Sequence, residues 1–247
     1  METPRARYRQ VADDLRAAIR RGEFTAGSVL PSQPDLARKY GLNQTSINRA
    51  IAILRAEGLI RVEHGIGAFV QEVPTVKRVR RIPRAGSAGS SFAEEMRNAG
   101  LTPRTELADL ATVPATPEIA DLLHVEAGSP VVRRTRHMFA SERPVQLATS
   151  YVPIEVAGSQ DIALPDTGPT GLYERLAARG FKPARFAEDI EVRQPRREEA
   201  AFLRLTEAQP VLVVARTVYD AADRPVEAVI NVFPSQQWRL SYEWSAQ

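Results

Sequence analysis

The stretch Gly41–Ala50, which reads GLNQTSINRA, decides the fold of the first part of the chain. Gly41 suits the end of one helix, and Asn43 suits the N-cap of the next. From there apolar residues recur at steps of three and four residues until Gly58, which predicts an amphipathic helix. Its apolar side consists of Ile47, Ala50, Ile51 and Leu54.

The opposite side of this helix is polar in its first turns. At about 100° per residue, Gln44, Thr45, Asn48 and Arg49 project away from the apolar side. An amphipathic helix that stops at Gly22 comes first, and Ser32 with Asp35 resembles a capping pair for a short second helix. Two short helices joined by a tight turn, with polar side chains at the start of the second, form the helix-turn-helix that meets base edges in the major groove.

Residues 59–71, which read LIRVEHGIGAFVQ, predict two short strands around a glycine-rich turn. Glycines there allow a close approach to a phosphate or to the minor groove, so His64 and Gly65 are candidate DNA contacts. An ordinary exposed histidine is an equally good interpretation of His64.

Composition supports two domains and a polyanionic partner. A length of 247 residues predicts two domains, and zero cysteines exclude disulfides and cysteine-bound metal. Without an apolar signal segment or a run of 18 apolar residues, we expect a cytoplasmic protein that does not enter the membrane. Residues 1–72 hold 11 basic and 8 acidic residues, residues 73–91 five basic and no acidic ones, and the remainder 17 and 22. This asymmetry fits a front part that meets DNA, although solvated charged faces would give the same pattern.

Residues 6–71 resemble the winged helix-turn-helix of GntR-type bacterial transcription regulators. The resemblance is carried by Tyr8, Leu15, Ile19, Gly22, Gly27, LPS at 30–32, LA at 36–37, YGL at 40–42, RAI at 49–51, EGLI at 57–60 and GIGAFV at 65–70. It implies that residues 1–72 form a DNA-binding domain. By the same resemblance, arginine is common where this chain has Pro34, Gln44 and Asn48, and an acid is common at Arg49.

These departures predict a change in the bases that are read. Arginine suits guanine, whereas glutamine and asparagine suit adenine N6 and N7. We therefore predict that Gln44 and Asn48 read at least one A·T pair, that Thr45 and Ser46 contact a methyl group or phosphates, and that Arg49 contacts guanine or phosphate. Phosphate or minor-groove contacts are expected from Ser32, Gln33, Lys39, His64 and Gly65. The alternative is that Asn43 and Ser46 only cap the helix and that Gln44 is solvated.

Residues 73–91 combine five basic residues with prolines and then small residues, which predicts a flexible basic linker. Its charge would add salt-sensitive attraction to DNA. For residues 76–83, a strand that enters the second domain is an equally good interpretation.

The remainder, residues 92–247, repeats itself with a shift of 80 residues. SSFAEEMRNAGLTPR from Ser90 returns as TGLYERLAARGFKPAR from Thr170, and RPV at 143–145 returns at 224–226. Each copy predicts a helix, a strand, a short helix and a hairpin, so the fold class is mixed α/β, with a duplicated α+β domain that has one antiparallel sheet.

Duplication predicts a ligand cleft at the junction of the two copies. Equivalent helix starts lie at Ser91-Phe92 and Gly171-Leu172, and a helix start favours an anion. Arg134 and Arg136 lie two apart on a strand and so share a face. We therefore expect a small acidic or polar ligand; the alternative is that both arginines pair with acids such as Glu142 or Glu188.

This second part is similar to the effector-binding UTRA domain, which has a fold like chorismate lyase and occurs in HutC-type members of the GntR family. The motifs GLTP, RRTR, RPVQLATSYVP, GLYERL and RPVEAVINV carry the resemblance. It implies phosphate contacts from Ser91, Arg134, Arg136 and Tyr173. A second serine of the family is Gly171 here and a common acid is Ala148, whereas Glu227 remains.

The leading interpretation is a dimeric repressor of a palindromic operator that responds to a small anionic or polar effector, with dimerisation through residues 92–247 and without cofactor or metal. A constitutive repressor without effector is the alternative. An enzyme with a lyase-like fold is disfavoured because His64, His124 and His137 are too few and too scattered for a catalytic or metal set. A winged helix used only for protein contact is the remaining possibility.

Overall fold

The computed structural model describes residues 7–63, 65–71, 76–81, 92–159, 171–206 and 209–243. The chain divides into two compact units, residues 1–75 with 205–209 and residues 76–204 with 210–247. No helix within the described ranges is long and apolar enough to cross a membrane.

The first unit contains the three predicted helices: α1 (Arg7–Arg20), α2 (Gln33–Tyr40) and α3 (Gln44–Ala56). Their ends are fixed by the predicted caps. The Ser32 hydroxyl accepts a hydrogen bond from the Asp35 backbone N–H, and the Asn43 Oδ1 accepts one from the Ser46 N–H at 2.9 Å. Gly41 ends α2 in the left-handed conformation, with φ of 59°.

The core of the first unit is built by the apolar side of α3. Ile47, Ala50 and Leu54 are fully buried against Leu15 of α1 and Leu36 of α2. A polar contact also joins α1 to the end of α3. The Arg16 Nε donates to the carboxylate of Glu57, the C-cap of α3, at 2.7 Å. With one side of α3 buried in this way, the other side has to face out of the core.

A small antiparallel sheet follows α3. Strands β1 (Ile60–Glu63) and β2 (Gly67–Val70) pair as a hairpin, and Val29 forms an isolated bridge with Phe69. The Leu30 N–H donates to the Ala68 carbonyl at 2.7 Å, so the loop before α2 extends this sheet. The predicted hairpin is confirmed.

The main sheet of the second unit is antiparallel and has six strands in the order β4-β5-β6-β9-β8-β7. Two copies of one motif build it. The first is α4 (Phe92–Asn98), β4 (Pro103–Pro114), α5 (Pro117–Leu123), β5 (Pro130–Ala140) and β6 (Arg143–Pro153). After α6 (Ile154–Ala157), the second is α7 (Gly171–Ala178), β7 (Pro183–Arg193), α8 (Arg197–Leu203), β8 (Val211–Asp220) and β9 (Pro225–Pro234). The duplicated antiparallel domain predicted from the sequence is confirmed, with the copies joined at the β6–β9 pair.

Alternation along the strands assigns the helices to the two faces of this sheet. On one face, Leu176 of α7 packs with Val132 and Val218, and Met96 of α4 packs with Phe233. On the other face, α5 packs over Val131 and Ala228, and Phe202 of α8 stacks on His137 with ring centroids 3.8 Å apart. The face beneath α4 and α7 carries Arg134 and Arg136.

The proposed linker differs from the flexible connection that its composition predicted. Residues Val76–Arg81 form strand β3, which pairs in parallel with β10 (Trp238–Glu243). A continuous ladder over six residues holds the backbone in place, so for this stretch the strand interpretation is the one that the structure has. Residues 73–75 and 82–91 lie outside the described residues.

Candidate nucleic-acid interface and effector site

The first turns of α3 present a compact set of exposed polar side chains. Gln44, Thr45, Asn48 and Arg49 are all exposed, whereas Ile47 between them is fully buried. Gln44 Nε2 donates a weak hydrogen bond to Gln33 Oε1, with 3.4 Å between the atoms, so the first residues of α2 and α3 present adjacent amides. Such amides both donate and accept, as the major-groove edge of adenine requires.

Residues around this surface fall into two groups. Lys39 is exposed and its ammonium lies 5.5 Å from the Tyr40 ring centre, and the Arg49 guanidinium lies 5.9 Å from that of Tyr8. The Ser32 hydroxyl is committed to the cap of α2, since it also donates to Asp35 Oδ2 at 2.5 Å and thereby lowers the pKa of that carboxyl group. Cationic groups are therefore available for phosphates, while Ser32 shapes the helix start.

The tip of the hairpin is exposed and glycine-bounded. Gly65 adopts φ of 76°, in the region that favours glycine, and the neighbouring Ile66 is 70% exposed. Arg61, which the sequence analysis did not single out, is exposed and stacks on Phe69 with 4.5 Å to the ring centre. His64 lies outside the described residues.

A second polar cluster lies on the main sheet beneath α7. Arg134 and Arg136 of β5 share their face with Ser150 of β6, which pairs directly with Arg134, and with Glu227 of β9. Arg136 Nη2 donates to the Ser150 hydroxyl at 3.4 Å. The hydroxyls of Ser150 and Tyr173 both hydrogen-bond the Glu227 carboxyl group, which brings Tyr173 of α7 into the cluster.

Burial sets the electrostatics of this cluster. Glu227 is 2% exposed and Arg134 is 7% exposed. Burial raises the pKa of Glu227. The hydroxyls of Ser150 and Tyr173 and the charges of Arg134 and Arg136 act in the opposite direction and lower it in part. Burial likewise lowers the pKa of Arg134 to about 10, and the like charges of Arg136 and Arg175 act in the same direction.

Three buried polar atoms of the cluster are unsatisfied. Within the described part of the chain, Arg134 Nε, Arg136 Nε and Glu227 Oε2 have no hydrogen-bond partner. A buried polar group without a partner costs about 1–3 kcal/mol, and more if it is charged. The guanidinium groups of Arg134 and Arg136, with that of Arg175 nearby, outnumber the one carboxyl group of Glu227. The cluster is therefore suited to an anionic or acceptor-rich ligand.

Comparison with known proteins agrees with both halves of this description. Residues 7–70 match the model for bacterial regulatory proteins of the gntR family, and residues 98–239 match the UTRA domain. The chain belongs to the GntR family, in the group with a UTRA domain. Members of this family are DNA-binding transcription regulators and not enzymes, so the lyase-like alternative is excluded.

Relatives that match over most of their length support this assignment. The chain is 27% identical over 219 residues to the HTH-type transcriptional repressor NagR of Bacillus subtilis, covering 88% of this chain and 86% of that protein. It is 25% identical over 226 residues to the transcriptional regulator GgaR of Escherichia coli, covering 91% and 85%. A GntR-family regulator of known structure superposes with a TM-score of 0.67 at 29% identity, covering 98% of this chain and 99% of that one. PhnF of Mycobacterium smegmatis shares the fold, with a TM-score of 0.58 at 20% identity, over 96% and 100%.

The structure brings together four of the residues expected at the GntR-family effector site: Arg134, Arg136, Tyr173 and Glu227. Glu142 pairs with Arg104 and Glu188 with Arg216, so the acid that lies beside Arg134 and Arg136 is Glu227 and neither of these two. The sequence analysis did not predict Ser150 as a member of this cluster. Its position opposite Arg134 in the strand register is what places it there.

The predicted helix starts contribute less. The Leu172 side chain is 8% exposed within the apolar cluster of α7, so it builds the core and not the polar cluster. Phe92, half-buried, packs against the apolar cluster of α4. Gly171 begins α7, and Ser91 lies outside the described residues.

Proposed function

We propose that this GntR-family regulator is a cytoplasmic, homodimeric repressor that binds a palindromic operator and responds to a small anionic effector. The observation that carries the proposal is the exposed polar start of α3 on a helix whose other side is fully buried. Residues 1–72 bind the operator, and residues 92–247 bind the effector and dimerise. NagR, a relative over most of its length, is named as a repressor.

Two kinds of DNA contact are expected. Gln44 and Asn48 read base edges, with adenine at one or more positions, and Thr45, Ser46 and Arg49 flank them. Ser32, Gln33, Lys39, His64 and Gly65 hold phosphates or the minor groove. This division makes affinity strongly dependent on salt and preference dependent on α3.

DNA binding is tested by measuring affinity for a duplex selected from a random pool and for a scrambled duplex of equal length, over a range of salt concentrations. The selected duplex should bind at least about 10³-fold more tightly, and both affinities should fall as salt rises. Equal affinity for the two duplexes would contradict operator binding.

The effector is proposed to be an anion held by Arg134, Arg136, Ser150 and Tyr173 beside Glu227. Support comes from the unsatisfied guanidinium nitrogens and from the excess of positive charge. Ala148 lies fully buried on this face, at a position where an acid is common in the family, which favours a ligand without a sugar hydroxyl bound there. The alternative, a constitutive repressor without effector, rests on Ala148 and Gly171, which stand where the family has an acid and a serine.

Calorimetric titration with inorganic phosphate and with small phosphate monoesters tests the effector site. Arg136→Ala should weaken binding at least tenfold, since a hydrogen bond to a charged group contributes about 1.5–3 kcal/mol. Arg133→Ala is the matched control, because Arg133 lies on the other face of the same strand and pairs with Asp109 at 2.9 Å. Anion binding that survives Arg136→Ala would refute the site, and no binding by the wild type would favour the constitutive repressor.

If an effector weakens operator binding, linkage requires the operator to weaken effector binding by the same factor. The two titrations therefore have to agree, which provides an internal check on the proposed switch.

A further inference from the structure

The duplication supplies an internal comparison for the effector cluster, which consists of Arg134, Arg136, Ser150, Tyr173 and Glu227. Arg216 of β8 stands where Arg136 stands in the first copy. The other members of the cluster are replaced at their equivalent positions: Arg134 by Val214, Ser150 by Asn231, Glu227 by Gln146 and Tyr173 by Ala93. At the equivalent site, Arg216 is thus the one member of this constellation that is kept.

In the second copy the arginine is neutralised within the protein. The Arg216 Nε and Nη2 donate to one oxygen of Glu188 at 2.8 and 2.6 Å. The two side chains are 17% and 12% exposed. In the first copy the position of Glu188 is held by Ala108, at the irregularity between Leu107 and Asp109, so β4 offers Arg136 no equivalent acid.

The other polar groups around Arg216 are also satisfied within the protein. Gln146 Nε2 donates to Asn231 Oδ1 at 2.7 Å, and Asn231 Nδ2 donates to the Val214 carbonyl at 3.3 Å. A neutral amide pair has therefore taken the place of the buried acid and hydroxyl. The site around Arg216 is satisfied by the protein's own side chains, whereas the effector cluster leaves guanidinium nitrogens unsatisfied.

Glu188 also reaches the last strand of the chain. Its second carboxylate oxygen accepts a hydrogen bond from the Tyr242 hydroxyl at 2.8 Å. Tyr242 lies on β10, opposite Arg80 of β3 in the parallel pair. The other end of β10 is fixed by Trp238, whose Nε1 donates to the Val145 carbonyl at 2.7 Å. Strand β3 is the first element after the winged helix in chain order.

The two copies meet in one cross-strand row. Register aligns Arg134, Ser150, Val229, Arg216 and Glu188 on five neighbouring strands. Between Ser150 of the effector cluster and Arg216 there is one residue, Val229, and so a separation of about 10 Å at the strand spacing.

We propose that the site around Arg216 has exchanged ligand binding for anchoring. Glu188 acts as a built-in anion for Arg216 and, through Tyr242, fastens the free end of the β3–β10 pair to the sheet. The charge state of the effector cluster acts on this anchor along the shared row and so reaches β3. The anchoring is independent of the proposed function, while its regulatory use rests on it.

Hydrogen exchange of the full-length protein tests the anchor. Tyr242→Phe and Glu188→Gln should each speed amide exchange about tenfold at residues 79–81 and 241–243, whereas amides near Trp238 keep their wild-type rates. Asp223→Asn is the control, because it breaks the pair of Asp223 with Arg185, which lies on β7 like Glu188, without touching Glu188. Wild-type exchange at the 241–243 end in both variants would overturn the anchor.

Coupling is tested without any ligand by combining variants. Glu227→Gln removes the acid from the effector cluster, and it should change exchange at residues 79–81 about threefold in the wild-type background but not in Tyr242→Phe. An equal effect in both backgrounds, or none in the wild type, would refute the coupling. Failure of DNA or anion binding in the titrations above would leave these readouts intact and would count against the proposed function alone.

Discussion

At the scale of single residues, neighbouring side chains have separate duties. The side-chain oxygen of Asn43 accepts a hydrogen bond from the Ser46 N–H, whereas Gln44, one position later, is exposed beside Gln33. Arg133 pairs with Asp109 at the surface, while Arg134 points to the opposite face and is buried. The alternation of the strand, and not the residue type, decides which arginine belongs to the polar cluster.

The titration of Glu227 gives a prediction about pH. An acid whose pKa is raised keeps its proton to higher pH, and loss of that proton adds a negative charge beside the bound anion. Sulfate, which stays doubly charged over this range, should therefore bind the wild type less tightly as pH rises from about 5 to 8. Glu227→Gln should bind with an affinity that varies much less with pH.

Calorimetric titration of both proteins with sulfate at several pH values makes the comparison. Because the two proteins differ only at this side chain, the difference between the two profiles isolates Glu227. Parallel pH profiles would show that Glu227 does not face the anion.

At the scale of secondary-structure elements, Gly158 and Arg179 hold α6 and α7 together. Arg179 Nε donates to the Val156 carbonyl at 2.9 Å, and Gly158 adopts φ of 75°. A Cβ atom at Gly158 would lie 2.4–2.6 Å from the Arg179 guanidinium. The backbone favours glycine here, and a Cβ atom would force the Arg179 guanidinium to move from its contact with Val156.

Gly158→Ala should lower the free energy of unfolding by about 1–3 kcal/mol, measured by urea denaturation. Combined with Arg179→Ala, the loss should be smaller than the sum of the two single losses, because the clash is gone and only the backbone strain stays. Strict additivity would show that Arg179 does not crowd this site.

Local chemistry made much of the fold predictable. The caps at Ser32 and Asn43 and the apolar spacing of α3 act within a few residues, so the helices followed from the sequence. The repeat with a shift of 80 residues predicted the two copies of the sheet motif. The arginines of the effector cluster followed from their two-residue spacing.

Contacts between distant residues were not predictable in the same way. Ser150 joins the arginines only through strand register, and the β3–β10 pair joins residues about 160 positions apart. The Glu188–Tyr242 contact depends on that pairing. Composition alone made residues 76–81 look like part of a linker, because a basic strand and a basic linker share the same residues.

At the scale of the whole molecule, repression of a palindromic operator requires two copies of α3. Half-sites one DNA turn apart lie about 34–36 Å from each other, which one winged helix cannot span. Sedimentation at DNA-binding concentrations should give twice the chain mass of 27.3 kDa. A monomer that still selects a palindrome would contradict the proposed homodimer.

The most direct test of the central claim is selection of bound duplexes from random DNA by the wild type and by Gln44→Ala, Asn48→Ala and Asn43→Ala. We predict that Gln44→Ala and Asn48→Ala each lose about 1–3 kcal/mol of discrimination at a defined position that favours A·T. Asn43→Ala, which removes only a cap, should bind more weakly with an unchanged preference. An unchanged preferred sequence in both Gln44→Ala and Asn48→Ala would contradict the claim that the exposed start of α3 reads the operator.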